Sequence, residues 1–209
     1  MSERREVPAS LMMKLDFAPV RPLPRAEVRF GVVAVLALAA GAAMLLSLGA
    51  RTDTPLTSPL FLAMLLARVA AGVLLALLAL RDAIPGSRPL GGAMAATVAF
   101  GAFVLFVLPI VFTPGPAPFG PGFCFPLIVA VALPSFVALL WLLRRAYPLH
   151  PVRAAALAGL GSGLLSEAAQ FVACSNAGAV HGSVVHGGAA VSVALAGAVV
   201  GWLLARGER

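Results

Sequence analysis

Charge is scarce in this chain. Only 11% of its 209 residues are Asp, Glu, Lys or Arg, and 61% are apolar. A soluble domain carries about a quarter charged residues and is closer to half apolar, so a water-surrounded globule is excluded as the main body. Cysteine is scarcer still, with 2 in all. That excludes a disulfide framework and leaves at most one intrachain bridge. No C-x-x-C occurs, so neither a zinc ribbon nor a thioredoxin-like redox motif is written here. No short apolar core stands near the start. The first long apolar run begins at Phe30, after a mixed, proline-containing tail, and is too long for a signal core. It is expected to stay as a helix.

What fills the chain instead is apolar text in long runs. An apolar stretch of about 20 residues crosses a bilayer, and six such runs can be marked: Phe30–Gly49, Leu60–Leu80, Pro89–Phe112, Phe123–Leu143, Ala154–Cys174 and Gly187–Ala205. Each span must satisfy its own backbone hydrogen bonds in lipid, and continuous apolar runs do so as helices. The expected fold is therefore an all-α integral membrane protein, a bundle of six transmembrane helices. Residues 1–29 form an N-terminal tail, 30–206 the membrane domain and 207–209 the C-terminus.

Basic residues orient it. Of the 15 lysines and arginines, all but Arg51 and Arg68 lie in the N-terminal tail, the second and fourth connections or the C-terminal end. Basic flanks stay on the cytoplasmic side, so both termini are expected to be cytoplasmic. Trp141, Tyr147 and Trp202 fall near that same interface, where amphipathic rings are favoured. The net charge of +7 thus reads as topology plus contact with anionic lipid, and no direct nucleic-acid binding is expected.

The fifth span has a readable face. Gly159, Gly163, Glu167, Gln170 and Cys174 follow at steps of three or four and line one stripe. Gly159 and Gly163 allow a close helix approach, and Gly197 and Gly201 repeat the device on the sixth span, with His186 and Ala190 on the same stripe. These two spans are expected to pack there, bringing the Cys174 end near His186. Ser162, inside Leu160-Gly-Ser-Gly163, lacks the glycine two positions earlier that a nucleophile elbow carries, and reads as packing. Pro126 falls in the first turn of the fourth span, where it is tolerated. Pro134 falls mid-span, where it should kink the helix. The Pro- and Gly-rich connection 113–122 is expected to pin Cys124 at a fixed height.

Two charges lie within spans. Arg68 and Glu167 each fall about 10–12 Å from the outer ends of their helices at 1.5 Å per residue. Intramembrane charges face inward and pair, so an Arg68–Glu167 ion pair is expected. It either fixes helix register or serves an ion or proton relay, for which a single pair is a poor start.

In the tail, Leu11, Met12 and Leu15 recur at helical spacing around Lys14 and Asp16. They suit a short docking segment, followed by an extended spacer, Pro19-Val-Arg-Pro-Leu-Pro24. A disordered tail fits the same residues.

At the outer side, Cys124 opens the fourth span and Cys174 closes the fifth. His181 and His186 follow in a connection without formal charge. Three readings stand together: a redox-switchable thiol pair, a structural bridge, or a Cys2His2 site for a transient soft or borderline ion.

The chain resembles the NrsF-type family of six-span membrane anti-sigma factors, partners of extracytoplasmic-function sigma factors. Several stretches carry the likeness. They are Phe17-Ala-Pro-Val-Arg-Pro-Leu-Pro24, Cys124, Pro134-Ser-Phe-Val-Ala-Leu-Leu-Trp-Leu-Leu-Arg-Arg145, Ala158-Gly-Leu-Gly-Ser-Gly163, Cys174 and His181-Gly-Ser-Val-Val-His-Gly-Gly188. The resemblance implies that the cytoplasmic face, chiefly the tail with Leu11, Met12, Leu15, Arg21 and Arg25, holds the sigma factor at the inner membrane. It also implies that Cys124 and Cys174 receive a metal or oxidative stress signal. Some relatives place an acidic residue soon after the second cysteine, where Ser175 and Asn176 stand here. No enzyme is expected and no certain cofactor. The competing functions are a membrane thiol oxidoreductase, which would want a close cysteine pair and a relaying second one, and a small transporter, which would want internal repeats or a broken helix.

Overall fold

A computed structural model describes residues 24–49, 58–84, 91–107, 123–146, 148–174, 178 and 180–207. Among them every regular element is a helix, without strands. Helix α1 spans Ala26–Leu48 and α2 spans Pro59–Asp82. Helix α3 spans Gly91–Ala102 and continues as a π-helical turn, Phe103–Val107. Helices α4 and α5 span Cys124–Ala146 and Pro151–Ala173. Helix α6 opens π-helically over His181–Gly187 and continues α-helically over Gly188–Gly207. The docking segment at Leu11, Met12 and Leu15, the proline spacer and the connection 113–122 lie outside the described residues.

Local chemistry fixes several ends. Pro59 and Pro151 begin α2 and α5, where a missing N–H costs nothing and φ is already helical. Gly49 closes α1 at φ 79°, a conformation that glycine adopts without strain, and its N–H donates to the Leu45 carbonyl.

Helix α5 is the axis of the bundle, packed against α6, α2, α4 and α1. Thirteen of its residues, from Ala154 to Gln170, are buried. Facing protein on every side, it has little need of bulky apolar groups and can be rich in glycine, alanine and serine. Among the described residues, four helices are long and apolar enough to cross a membrane: Ala26–Leu48, Pro59–Asp82, Cys124–Ala146 and His181–Gly207. The apolar stretch Gly91–Val107 is shorter. Outward faces carry large apolar side chains in the open, among them Leu38 and Leu46 on α1 and Leu195 and Leu203 on α6. Such a surface suits an apolar solvent far better than water.

The glycine stripes of α5 and α6 meet. A Cβ on Gly159 would strike the Val193 carbonyl, and one on Gly197 the Ala155 carbonyl. One on Gly163 would lie 2.8 Å from Ala190 Cα. On another face of α5, a Cβ on Gly161 would stand 2.9 Å from the Ala76 nitrogen of α2. Glycine is what lets three backbones approach this closely. Ser162, between those two contacts, is fully buried and its hydroxyl has no hydrogen-bond partner among the described residues.

Polar groups are divided between the two ends of the bundle. At one end, Arg153 makes a bidentate pair with Asp82 at 3.0 and 2.6 Å. Arg81 pairs with Glu27 at 2.6 Å. Arg145 stacks on Trp141 and Arg206 on Trp202, at 3.8 and 3.7 Å from the ring centroids. Arg29, read from sequence as a topology marker only, is buried there and donates to the Leu80 carbonyl at 3.0 Å. That places a cation at the C-terminal turn of α2, where the helix dipole favours it. The opposite end holds the thiols and imidazoles.

Candidate functional site

Cys124 stands at the first turn of α4 and is half-buried, while Cys174 caps α5 and is buried. Its backbone N–H donates to the Gln170 carbonyl at 2.7 Å, so the last turn of α5 holds the thiol in place. The two sulfurs are 3.8 Å apart, well beyond the roughly 2.05 Å of a disulfide bond. Cys174 Sγ lies 3.5 Å from His181 Nε2.

The histidines depart from the expected connection: both stand in the π-helical opening of α6. The winding matters. In an α-helix, residues five apart point about 140° away from each other at 3.6 residues per turn. The wider π turn closes its hydrogen bonds at i+5 and stacks such residues along one side. His181 and His186 accordingly meet edge to face, with ring centroids 5.1 Å apart, and both are buried. One donor atom from each of Cys124, Cys174, His181 and His186 falls within 4.8 Å of the others. No other such cluster of three or more occurs among the described residues.

Four aromatic rings lie around this end. Ser183 donates to the Phe106 carbonyl at 3.3 Å. The Phe106 ring lies against Gly187, where a Cβ would come within 2.8 Å of it. Phe125 reaches Gly188. Phe61 and Phe171 stack at 4.8 Å beneath.

Behind the cluster, Glu167 and Arg68 are buried to 1% and 2% exposure. Arg68 Nε sits 3.0 Å from Oε1 of Glu167 and 2.8 Å from Oε2, with its hydrogen bond directed to Oε1. Arg68 also donates to the Met64 carbonyl at 3.0 Å, and its guanidinium lies 4.1 Å over the Phe171 ring. Sequence spacing brings out the Arg68–Glu167 pairing but not its third member. His186 Nδ1 lies 3.3 Å from Glu167 Oε1, which leaves His186 Nε2 buried with no hydrogen-bond partner among the described residues. The available signal was slight: the stretch from His181 to Gly187 carries no formal charge and leads without a break into the sixth apolar run.

Of the expected partner-binding residues, Arg25 is exposed immediately before α1. Leu11, Met12, Leu15 and Arg21 lie outside the described residues.

These features define an all-helical bundle with the lengths and surface of a membrane protein, bearing one buried thiol–imidazole cluster that could hold a metal ion. The chain belongs to the NrsF family, described as negative regulator of sigma F, whose family model matches residues 15–206. The family is one of regulators, not an enzyme class, and its partner is a sigma factor. Among curated proteins and solved structures, none matches the chain.

Proposed function

We propose that this protein is an anti-sigma factor of the bacterial inner membrane. It crosses six times with both termini cytoplasmic and holds an extracytoplasmic-function sigma factor through its tail, residues 1–29. It lets the partner go when an oxidant or a soft metal ion reacts at Cys124 and Cys174. The membrane domain is then 30–206 and the cytoplasmic C-terminus 207–209.

One observation carries the reading: the thiols sit at the end of the bundle opposite Arg81, Arg145, Arg153 and Arg206, and each thiol ends a different packed helix. With a peroxide as oxidant, the two thiols lose two electrons and two protons, one S–S bond forms, and the peroxide is reduced at its O–O bond to water or alcohol. The sulfurs must then close by nearly 2 Å from their resting 3.8 Å. That draws the start of α4 toward the end of α5, and a close-packed bundle passes such a shift on rather than absorbing it. The basic end and the tail thereby exist in two arrangements of different affinity for the sigma factor, as a switch requires.

Co-purification tests this. The tagged protein, isolated from its own cells in mild detergent, is expected to bring a sigma factor with it and to lose it after peroxide or cadmium treatment. Deletion of residues 1–29 is expected to abolish the association. A Cys124→Ser, Cys174→Ser double variant is expected to retain the sigma factor under both treatments. Release from that variant as from the parent overturns the sensor assignment.

A further inference from the structure

We infer that Cys124, Cys174, His181 and His186 together form a four-coordinate site for one divalent ion of borderline to soft character, with Glu167 and Arg68 as the fixed outer layer that aims His186 at the metal. This rests on the sensor reading above for its purpose, but not for its geometry.

The spacing of the donors speaks first. Around a tetrahedral ion with metal–sulfur bonds near 2.3 Å and metal–nitrogen bonds near 2.0–2.1 Å, two sulfurs stand about 3.8 Å apart and a sulfur and a nitrogen about 3.5 Å apart. The structure has Cys124 Sγ and Cys174 Sγ at 3.8 Å and Cys174 Sγ and His181 Nε2 at 3.5 Å. The widest separation in the set is no more than 4.8 Å, so closing around an ion needs a displacement of about 1 Å at the far donor. A disulfide would instead require the sulfurs to approach by nearly 2 Å.

The orientation of His186 speaks second. A metal-bound imidazole typically gives its other N–H to a carboxylate, which fixes the tautomer and turns the ring. His186 Nδ1 faces Glu167 at 3.3 Å, and the remaining nitrogen, Nε2, is buried on the side of the thiols, with no hydrogen-bond partner among the described residues. A buried polar nitrogen without a partner is a cost that a ligated ion removes. Glu167 is itself held by Arg68, so the chain from guanidinium to carboxylate to imidazole is rigid.

Charge speaks third. Two thiolates offset a 2+ ion, two neutral imidazoles add nothing, and Arg68 and Glu167 cancel each other. The whole assembly is neutral, which matters in a low-dielectric interior where net charge is expensive. A monovalent ion leaves one negative charge over, so divalent ions are preferred. Thiolate ligands disfavour magnesium and calcium.

The test uses the full-length reduced protein in detergent, titrated with Co2+ as a spectroscopic probe and then with Zn2+ in competition. One equivalent of Co2+ is expected to bind with a tetrahedral d–d spectrum and a thiolate-to-metal charge-transfer band, both displaced by Zn2+. Cys124→Ser, at a half-exposed position, is expected to lose the charge-transfer intensity of one thiolate and to weaken binding sharply. Arg68→Gln with Glu167→Gln removes the outer layer without leaving a lone buried charge, and is expected to lower Zn2+ affinity about 10–100-fold. An octahedral spectrum without thiolate charge transfer, or no binding to the reduced protein, overturns the inference. If the protein then still releases its sigma factor on peroxide, the sensor role stands and only the metal site falls. If Co2+ binds as described but no sigma factor is held, the reverse is true.

Discussion

Glu167 Oε1 and His186 Nδ1 lie 3.3 Å apart, and this one contact joins the buried ion pair of α2 and α5 to the thiol end of the bundle through α6. Without it, Arg68–Glu167 would be an isolated structural pair and the thiols a separate cluster at one end of the bundle. With it, Met64, Arg68, Glu167, His186, His181, Cys174 and Cys124 form one continuous polar path through four helices.

The ion pair should show strong, non-additive energetics. Arg68→Met leaves the Glu167 carboxylate buried beside a histidine alone, and Glu167→Gln leaves the guanidinium buried with carbonyl partners only. Each single change is expected to cost about 3–5 kcal/mol, whereas replacing both together should cost much less than their sum. Thermal unfolding of the four proteins in one detergent gives the cycle. Single losses below about 1 kcal/mol would show that water reaches the pair.

How much of this could be read from residues alone differs between the parts. The meeting of α5 and α6 was legible because glycines at four-residue steps have one meaning in a helix, and the stripe from Gly159 to Cys174 carried Glu167 along with it. Arg68 and Glu167 were legible as partners because two opposite charges at one depth in apolar text have few alternatives. The His186–Glu167 contact was hidden by winding: five-residue spacing is wrong for an α-helix, and nothing in Gly182, Ser183, Val184 and Val185 announces a π turn. The role of Arg29 is hidden for another reason: a flanking arginine that donates to a carbonyl on another helix looks identical in sequence to one in headgroups.

The glycines separate tight from open positions. Gly159→Ala and Gly197→Ala each push a methyl group into a carbonyl of the facing helix, which cannot move aside as a side chain can. Each is expected to cost about 1–3 kcal/mol. Gly31→Ala on α1 meets nothing within 4 Å and should be neutral or stabilising by up to about 1 kcal/mol. Detergent melting curves compare them directly. Equal losses at Gly31 and Gly159 would mean that helix propensity, not helix contact, sets the effect.

The basic end offers a pair of contrasting ion pairs. Glu27 and Arg81 are about half exposed, whereas Asp82, facing Arg153, is 9% exposed. Glu27→Gln is expected to change stability by less than about 1 kcal/mol, with the effect fading in high salt. Asp82→Asn, which breaks a bidentate arrangement, is expected to cost more and to depend less on salt. Unfolding temperatures at low and high ionic strength decide the order.

The thiols should differ in access but not in partner. Cys124 is half-buried and Cys174 is 7% exposed, so an alkylating reagent should label Cys124 first. A Cys124→Ser variant, which keeps only Cys174, should react far more slowly than Cys174→Ser. Because the sulfurs already touch across α4 and α5, a mild oxidant should join them within one molecule, with the loss of two hydrogens by mass spectrometry and a linked peptide pair containing residues 124 and 174. The bridge should be refused when Zn2+ is added before the oxidant, since ligated thiolates are no longer available to attack a sulfur. Disulfide-linked dimers as the main product would show that the thiol ends of α4 and α5 do not lie together in one molecule.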